Sequence, residues 1–261
     1  MQILLACAKI MEEQTAVTTP TVSNPQFQKE AEYFALLMSQ RSVEELTDMF
    51  KCSRQLAIEN KLRYESFFDS EERLPAILTY YGQAYKCLQA QTLDAKDFLF
   101  AQNHLWITSF LYGLLRPLDM IHPYRMEGKV ELDGKTMFQH WKPLLTDVLI
   151  ESVKADDGIL VHLATEEYQH LFDWQRVRKE VRIVQPLFYV RKGTELKIQA
   201  VWAKTCRGAM TRFIIENRID KPEDLCAFGY EGFTYEPKLG ERLRVGEHSS
   251  GMPDFPHYIK Q

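Results

Sequence analysis

Residues 1–11 read MQILLACAKIM, and the apolar run over residues 2–8 ends at Lys9. An unbroken run this short, with no alternation of polar side chains, predicts a strand buried on both faces. Such strands sit inside sheets covered by helices, so this one stretch sets the fold class as α/β. A second run of the same kind, GILVHLA at 158–164, predicts a second buried strand. In open sheets with parallel strands, ligands gather beyond the carboxyl ends. If the two runs are parallel neighbours, Lys9 and Glu166 share one crevice.

Between and after these runs the chain alternates helical and extended patterns. NPQFQKEAEYFALLMSQ offers Asn24 as N-cap and Pro25 at the first helical position, with Phe27, Ala31, Phe34 and Met38 on one stripe. Helices are expected over 42–50 and 53–67. In TLDAKDFLFAQNHLWITSFLYG, Phe98, Ala101, Leu105, Ser109 and Tyr112 recur at three- and four-residue spacing, which predicts one longer helix. A strand near 129–132 and a helix over 135–154 follow. Strands at 181–190 and 195–203 should form an antiparallel hairpin around Lys192-Gly193. A helix then begins near Thr205, and EGFTYEP adds an edge strand. The longest stretches without periodicity are 12–25 and the tail from Pro237. The expected architecture is one domain over 1–261, a mixed β-sheet with a helical layer.

With 261 residues, 45% of them hydrophobic and 26% charged, the chain can bury a large core. A net charge of −4 argues against coating nucleic acid over the whole surface, so any such binding must use a local patch. Basic charge is concentrated in the C-terminal third. Residues 174–192 hold Arg176, Arg178, Lys179, Arg182, Arg191 and Lys192 against Glu180 alone. The start lacks the positive region of an export signal and no run is long enough to span a membrane, which predicts a cytosolic protein. Cys7, Cys52, Cys87, Cys206 and Cys226 are odd in number and widely spaced, so free thiols are expected. The histidines give no ligand spacing, and neither a metal site nor a cofactor is expected.

AKTCRGAMTRF at 203–213 places Lys204, Arg207 and Arg212 around the expected first turn of the last helix. A helix N-terminus already carries about half a positive charge, so cations there suggest a bound anion; pairing with surface carboxylates is the alternative. Gly208 costs about 1 kcal/mol of helix propensity, tolerable where a ligand or another backbone comes close. LYGLLRPLDMIHPYR sets Gly113 after a helix, with Arg116 and Arg125 flanking it. Ordinary helix-ending grammar explains this, and so does the turn of a helix-hairpin-helix that meets a phosphate. In HLATEEYQH, Thr165 is a candidate N-cap with Glu166 and Glu167 in the favourable first turn.

Four motifs in order give the chain a resemblance: LYGLLRPLD with PYR at 111–125, LATEEY at 163–168, AKTCRGAMTRFIIENR at 203–218 and FGYEGF at 228–233. Together they resemble the YaaA family of bacterial peroxide-stress proteins, over nearly the whole chain from Gln2 to about Pro237. The resemblance implies a cytosolic protein that helps limit iron-driven oxidative damage. It further implies a mixed α/β fold, a positively charged cleft and a helix-hairpin-helix-like element that binds duplex DNA. The family's lysine after the first strand corresponds to Lys9, its Arg-Pro to Arg116-Pro117, and its lysine and Arg-Gly pair to Lys204 and Arg207-Gly208. The chain departs from the family in reading Cys7-Ala8-Lys9-Ile10 for Pro-Ala-Lys-Thr, and His162 for an asparagine. Cys7 beside Lys9 raises the prospect of redox sensitivity.

The expected partner is therefore double-stranded DNA, bound through its phosphates without regard to sequence, by Lys9, Arg116, Arg125, Lys204, Arg207, Gly208 and Arg212. The rival is an enzyme acting on a nucleotide or nucleobase in the same cleft, with Lys9 and Glu166 as acid–base candidates. Sequestration of iron fits poorly, because no cluster of ligands appears.

Overall fold

The computed structural model describes residues 1–68, 73–237, 239 and 255–260. Most of the tail from Pro237 therefore lies outside the described residues.

The first apolar run forms β1 (Gln2–Leu5), all four residues buried. Three helices follow: α1 (Gln28–Ser39), α2 (Val43–Phe50) and α3 (Arg54–Glu65). The stripe Phe27, Ala31, Phe34 and Met38 is buried as its spacing predicts, but the cap is Phe27 rather than Asn24 and carries no side-chain hydrogen bond. Helix α2 starts at a capping box in which Ser42 and Glu45 satisfy each other's backbone N–H, worth about 1 kcal/mol. A two-residue strand β2 (Leu74–Pro75) then leads to the short helices α4 (Ala76–Thr79) and α5 (Gln83–Leu88), and to α6 (Ala95–His104).

Here the structure corrects the expected long helix. It stops at His104, and Leu105–Ser109 is a strand, β3, followed by β4 (Gly113–Leu115) and β5 (Met120–Ile121). Every residue of β3 is buried, so the segment is apolar all round and fits a helical period and a central strand equally well. The run Trp106-Ile107-Thr108, aromatic and β-branched, carries the strand preference. Gly113 thus lies at a turn between strands, with φ +73°, where a helix-hairpin-helix-like turn was expected. A Cβ on it would come within 2.7 Å of the Trp141 ring.

The hairpin of β6 (Glu131–Leu132) and β7 (Lys135–Thr136) precedes α7 (Met137–Ala155), whose Thr136 and Gln139 form a second capping box. The second apolar run is β8 (Ile159–His162), followed by α8 (Glu166–Gln169), α9 (Trp174–Glu180) and β9 (Arg182–Val184). The main sheet has the order β4-β3-β1-β8-β9. β1 is parallel to β3 and β8, and β9 is parallel to β8, while β4 is antiparallel to β3. The two runs are parallel neighbours, with Ile3 opposite Val161.

The expected hairpin around Lys192-Gly193 joins β10 (Leu187–Lys192) to β11 (Glu195–Lys197), with Gly193 at φ +62°. A second sheet, β11-β10-β13-β12, adds β12 (Phe233–Tyr235) at its edge and β13 (His257–Lys260). The last helix, α10 (Ala200–Asn217), begins five residues earlier than expected and takes over part of the predicted strand 195–203. Core side chains from the main sheet, the helices around it and the second sheet form one continuous cluster.

Candidate functional site

The carboxyl ends of β1 and β8 meet beside α10, which touches β1. Lys9 leaves the end of β1 half exposed, and its ammonium lies 2.5 Å from Glu127 Oε2. Arg125 donates to the other oxygen, Glu127 Oε1, at 2.8 Å. One carboxylate from the segment between β5 and β6 therefore holds both cations. The ion-pair partner of Lys9 is Glu127. The acid two residues after Arg125 was the only hint of this in the sequence.

Beside this triad lies a cavity of about 880 Å³ between α2, the 125–131 segment and Glu167. Its described lining includes five basic and five acidic side chains, so it carries no excess of positive charge. Among the described residues no group of His, Cys, Asp or Glu could hold a metal ion. Cys7 opens toward the same end of the sheet, its Sγ 3.4 Å from Tyr168 Oη. Burial pushes its thiol up to about 12, so it stays protonated and is a poor nucleophile or peroxide target. All five cysteines are free.

The other candidate residues separate. Arg116 lies at the opposite, amino end of the sheet. Its Nη1 donates to Gln2 Oε1 at 3.0 Å and to the Leu105 and Asn103 carbonyls at 3.3 and 3.4 Å. Its Nη2 donates to Ser152 Oγ at 3.1 Å, and its guanidinium sits 3.5 Å from the centre of the Trp106 ring. Burial lowers it to about 10, which leaves it charged. Both terminal nitrogens are engaged inside the fold. Arg212 is likewise engaged, donating to the Leu88 and Gln89 carbonyls at the end of α5, each at 3.0 Å, and to Glu216 at 2.6 Å. It is a C-terminal cap for α5. Gly208 meets a backbone rather than a ligand, since a Cβ there would lie 1.8 Å from Ala84 O.

Lys204 and Arg207 fall in the second turn of α10, because the helix begins at Ala200. The helix dipole fades within the first turn, so it is not what their charges answer to. What distinguishes Arg207 is its isolation. Its guanidinium is partly buried and makes no hydrogen bond or ion pair with any described residue, and Nε is buried without a partner. Burial lowers its pKa while the charge of Glu166 pulls the other way. A desolvated cation without a partner costs several kcal/mol unless something else meets it. Arg178, Lys179, Arg191, Lys192 and Lys204 are exposed and have no partner among the described residues.

His162 closes the same region at the end of β8, only 1% exposed. Gln169 Nε2 lies 3.0 Å from His162 Nε2, and Nδ1 is buried without a partner among the described residues. Burial, with Arg207 and Arg178 adding to it, lowers His162 to about 3. The unfolded chain binds a proton below pH 6.5 that the fold refuses. This contribution to stability is full above pH 6.5 and declines as pH falls toward 3, by up to about 1.4 kcal/mol per pH unit. Urea unfolding at pH 7.5, 6 and 5 should show the stability of wild type minus that of His162→Asn shrinking with pH. A pH-independent difference would mean that His162 is not held neutral.

The described structure is a mixed α/β protein with an ion-paired lysine after its first central strand and an arginine without a described partner on the last helix. The sequence pattern of the peroxide stress protein YaaA matches residues 1–239. A UPF0246 protein of Bacteroides fragilis is 47% identical over 248 residues, covering 94% of this chain and 96% of its own. Another from Phocaeicola vulgatus is 48% identical over 240 residues, 90% of this chain and 94% of its own. One from Porphyromonas gingivalis is 41% identical over 247 residues, 92% and 96% of the two chains. The chain belongs to the YaaA family of peroxide stress proteins. No helix among the described residues is long and apolar enough to cross a membrane.

Proposed function

We propose that the protein serves peroxide resistance by engaging the phosphates of duplex DNA through Arg207, with Lys204 and Arg178 beside it. The observation that carries the reading is the guanidinium of Arg207, partly buried and lacking any described partner. A phosphate oxygen supplies the charge-assisted hydrogen bonds that Nε and its neighbours lack. Such contacts read no sequence, in keeping with a role on damaged DNA wherever it lies. Cations on the phosphates displace condensed counterions, ferrous iron among them. Iron-driven chemistry at the DNA surface falls accordingly.

Three phosphate contacts give a slope of about −0.9 × 3, roughly −2.7, for the logarithm of affinity against the logarithm of salt. Arg207→Ala should flatten it by about 0.9 and weaken binding alike on unrelated sequences. The fold should not suffer, since the variant removes an unpaired, partly desolvated charge. A variant with wild-type affinity and slope would refute the reading.

A further inference from the structure

Helix α5 lies against α10 at the point where Gln83 Nε2 donates to Thr205 Oγ1 at 2.8 Å and Ala84 O abuts Gly208. On α10 the residues Val201, Lys204, Thr205 and Gly208 share one face by their three- and four-residue spacing. Thr205 and Gly208 meet α5. Val201, 65% exposed, and the exposed Lys204 therefore lie along the rim of that contact.

Two residues before Gln83 on the same side stands Tyr81. Its ring is 40% exposed, and its hydroxyl has no partner among the described residues. The backbone N–H of Tyr81 donates to Ile10 O at 2.8 Å, which pins it beside Ile10, itself 64% exposed and next to Lys9. Lys86 Nζ stands 4.6 Å from the centre of the Tyr81 ring. The fold thus sets an exposed aromatic ring beside Ile10 and Lys86, two residues before the Gln83–Thr205 contact whose α10 rim carries Lys204, with Arg207 one turn further along that helix. Single exposed apolar residues are ordinary, but here an exposed ring, an exposed aliphatic neighbour and a cation against the ring occur together. Aromatic rings interleaved with cations suit a strand whose bases are splayed out, because every base has a face to stack and every linkage a phosphate to neutralise.

We propose that Tyr81, flanked by Ile10 and Lys86, is a stacking platform for an unpaired base of single-stranded nucleic acid whose phosphates lie on Lys204 and Arg207. The proposal rests on the phosphate-binding reading of Arg207 and extends it to the form of the polymer. A duplex presents its bases already stacked, so the platform favours single strands, gaps and frayed ends.

The test measures binding of the full chain to a labelled 15-mer of deoxythymidylate and to a duplex of equal length, across a salt series. Tyr81→Ala is expected to weaken single-strand binding about tenfold, within the range of one lost stacking contact, and to alter duplex binding less than about twofold, with the salt slope unchanged. Tyr81→Phe, which keeps the ring, should bind like the wild type; a loss equal to that of the alanine variant overturns the platform. Equal single-strand affinity of wild type and Tyr81→Ala, with the salt slope intact, also overturns it and leaves the phosphate reading standing. Absence of salt-dependent binding to either polymer removes the phosphate reading first. Displacement of the 15-mer by thymidine monophosphate at an equal nucleotide concentration would assign the platform to free nucleotides and overturn the proposal.

Discussion

Gly208→Ala is expected to destabilise the protein by about 3 kcal/mol or more, the upper end of the cost of overpacking a tight contact. Two effects oppose each other. Alanine in a helix interior gains about 1 kcal/mol over glycine from propensity alone. Against that, the new Cβ would lie 1.8 Å from Ala84 O and 2.5 Å from its carbonyl carbon, and both neighbours are backbone. No rotamer change relieves such a clash, so α5 and α10 must separate by more than 1 Å. That movement strains the Gln83–Thr205 bond and the grip of Arg212 on the end of α5. For a chain of this size the loss corresponds to a fall in Tm of roughly 6–12 °C. A variant as stable as the wild type, or stabilised by its propensity, would show that the helices are not in backbone contact.

Arg116→Ala is the second large effect, expected at about 3 kcal/mol with DNA binding untouched. The substitution removes donors from Gln2 Oε1, Ser152 Oγ and two backbone carbonyls, and it uncovers the Trp106 ring. Buried acceptors left without donors each cost about 1–3 kcal/mol before relaxation. Arg116→Lys should recover only part of the loss, because an ammonium cannot fork toward four acceptors. Chemical denaturation measures the first part and the salt slope for duplex DNA the second. Unchanged stability together with a flatter slope would return Arg116 to the phosphate-binding set.

The contrast between Arg116 and Arg207 marks what the sequence conveys about the site. Both are arginines beside a proline or glycine in motifs of the family, and nothing local separates them. The separation comes from partners distant in sequence: Gln2 and Ser152 lie 114 and 36 residues from Arg116. Lys9 poses the same problem, since its partner Glu127 is 118 residues away. The two central strands β1 and β8 were legible because two unbroken apolar runs announce their burial without tertiary information. Strand β3 was not, because a segment buried on every side loses the alternation that distinguishes period 2 from period 3.6. The start of α10 was lost for a different reason. Gln199 caps it without a side-chain hydrogen bond, so the usual N-terminal punctuation is missing.

The central position of β1 also governs the order of events during synthesis. Its neighbours are Leu105–Ile107 on one side and Leu160–His162 on the other, each more than 100 residues further along the chain. At about 5–20 residues per second, roughly 8–30 s pass between the emergence of β1 and that of its second neighbour. Until Leu105–Ile107 is made, Ile3, Leu4 and Leu5 have no strand to pair with, and until Leu160–His162 follows one edge of β1 stays open. Pairings of such sequence separation also slow folding once the chain is complete, because loop closure precedes any gain from contact. The strand made first is therefore among the last to be enclosed, and a nascent chain stalled between β3 and β8 exposes an apolar strand edge that chaperones must shield.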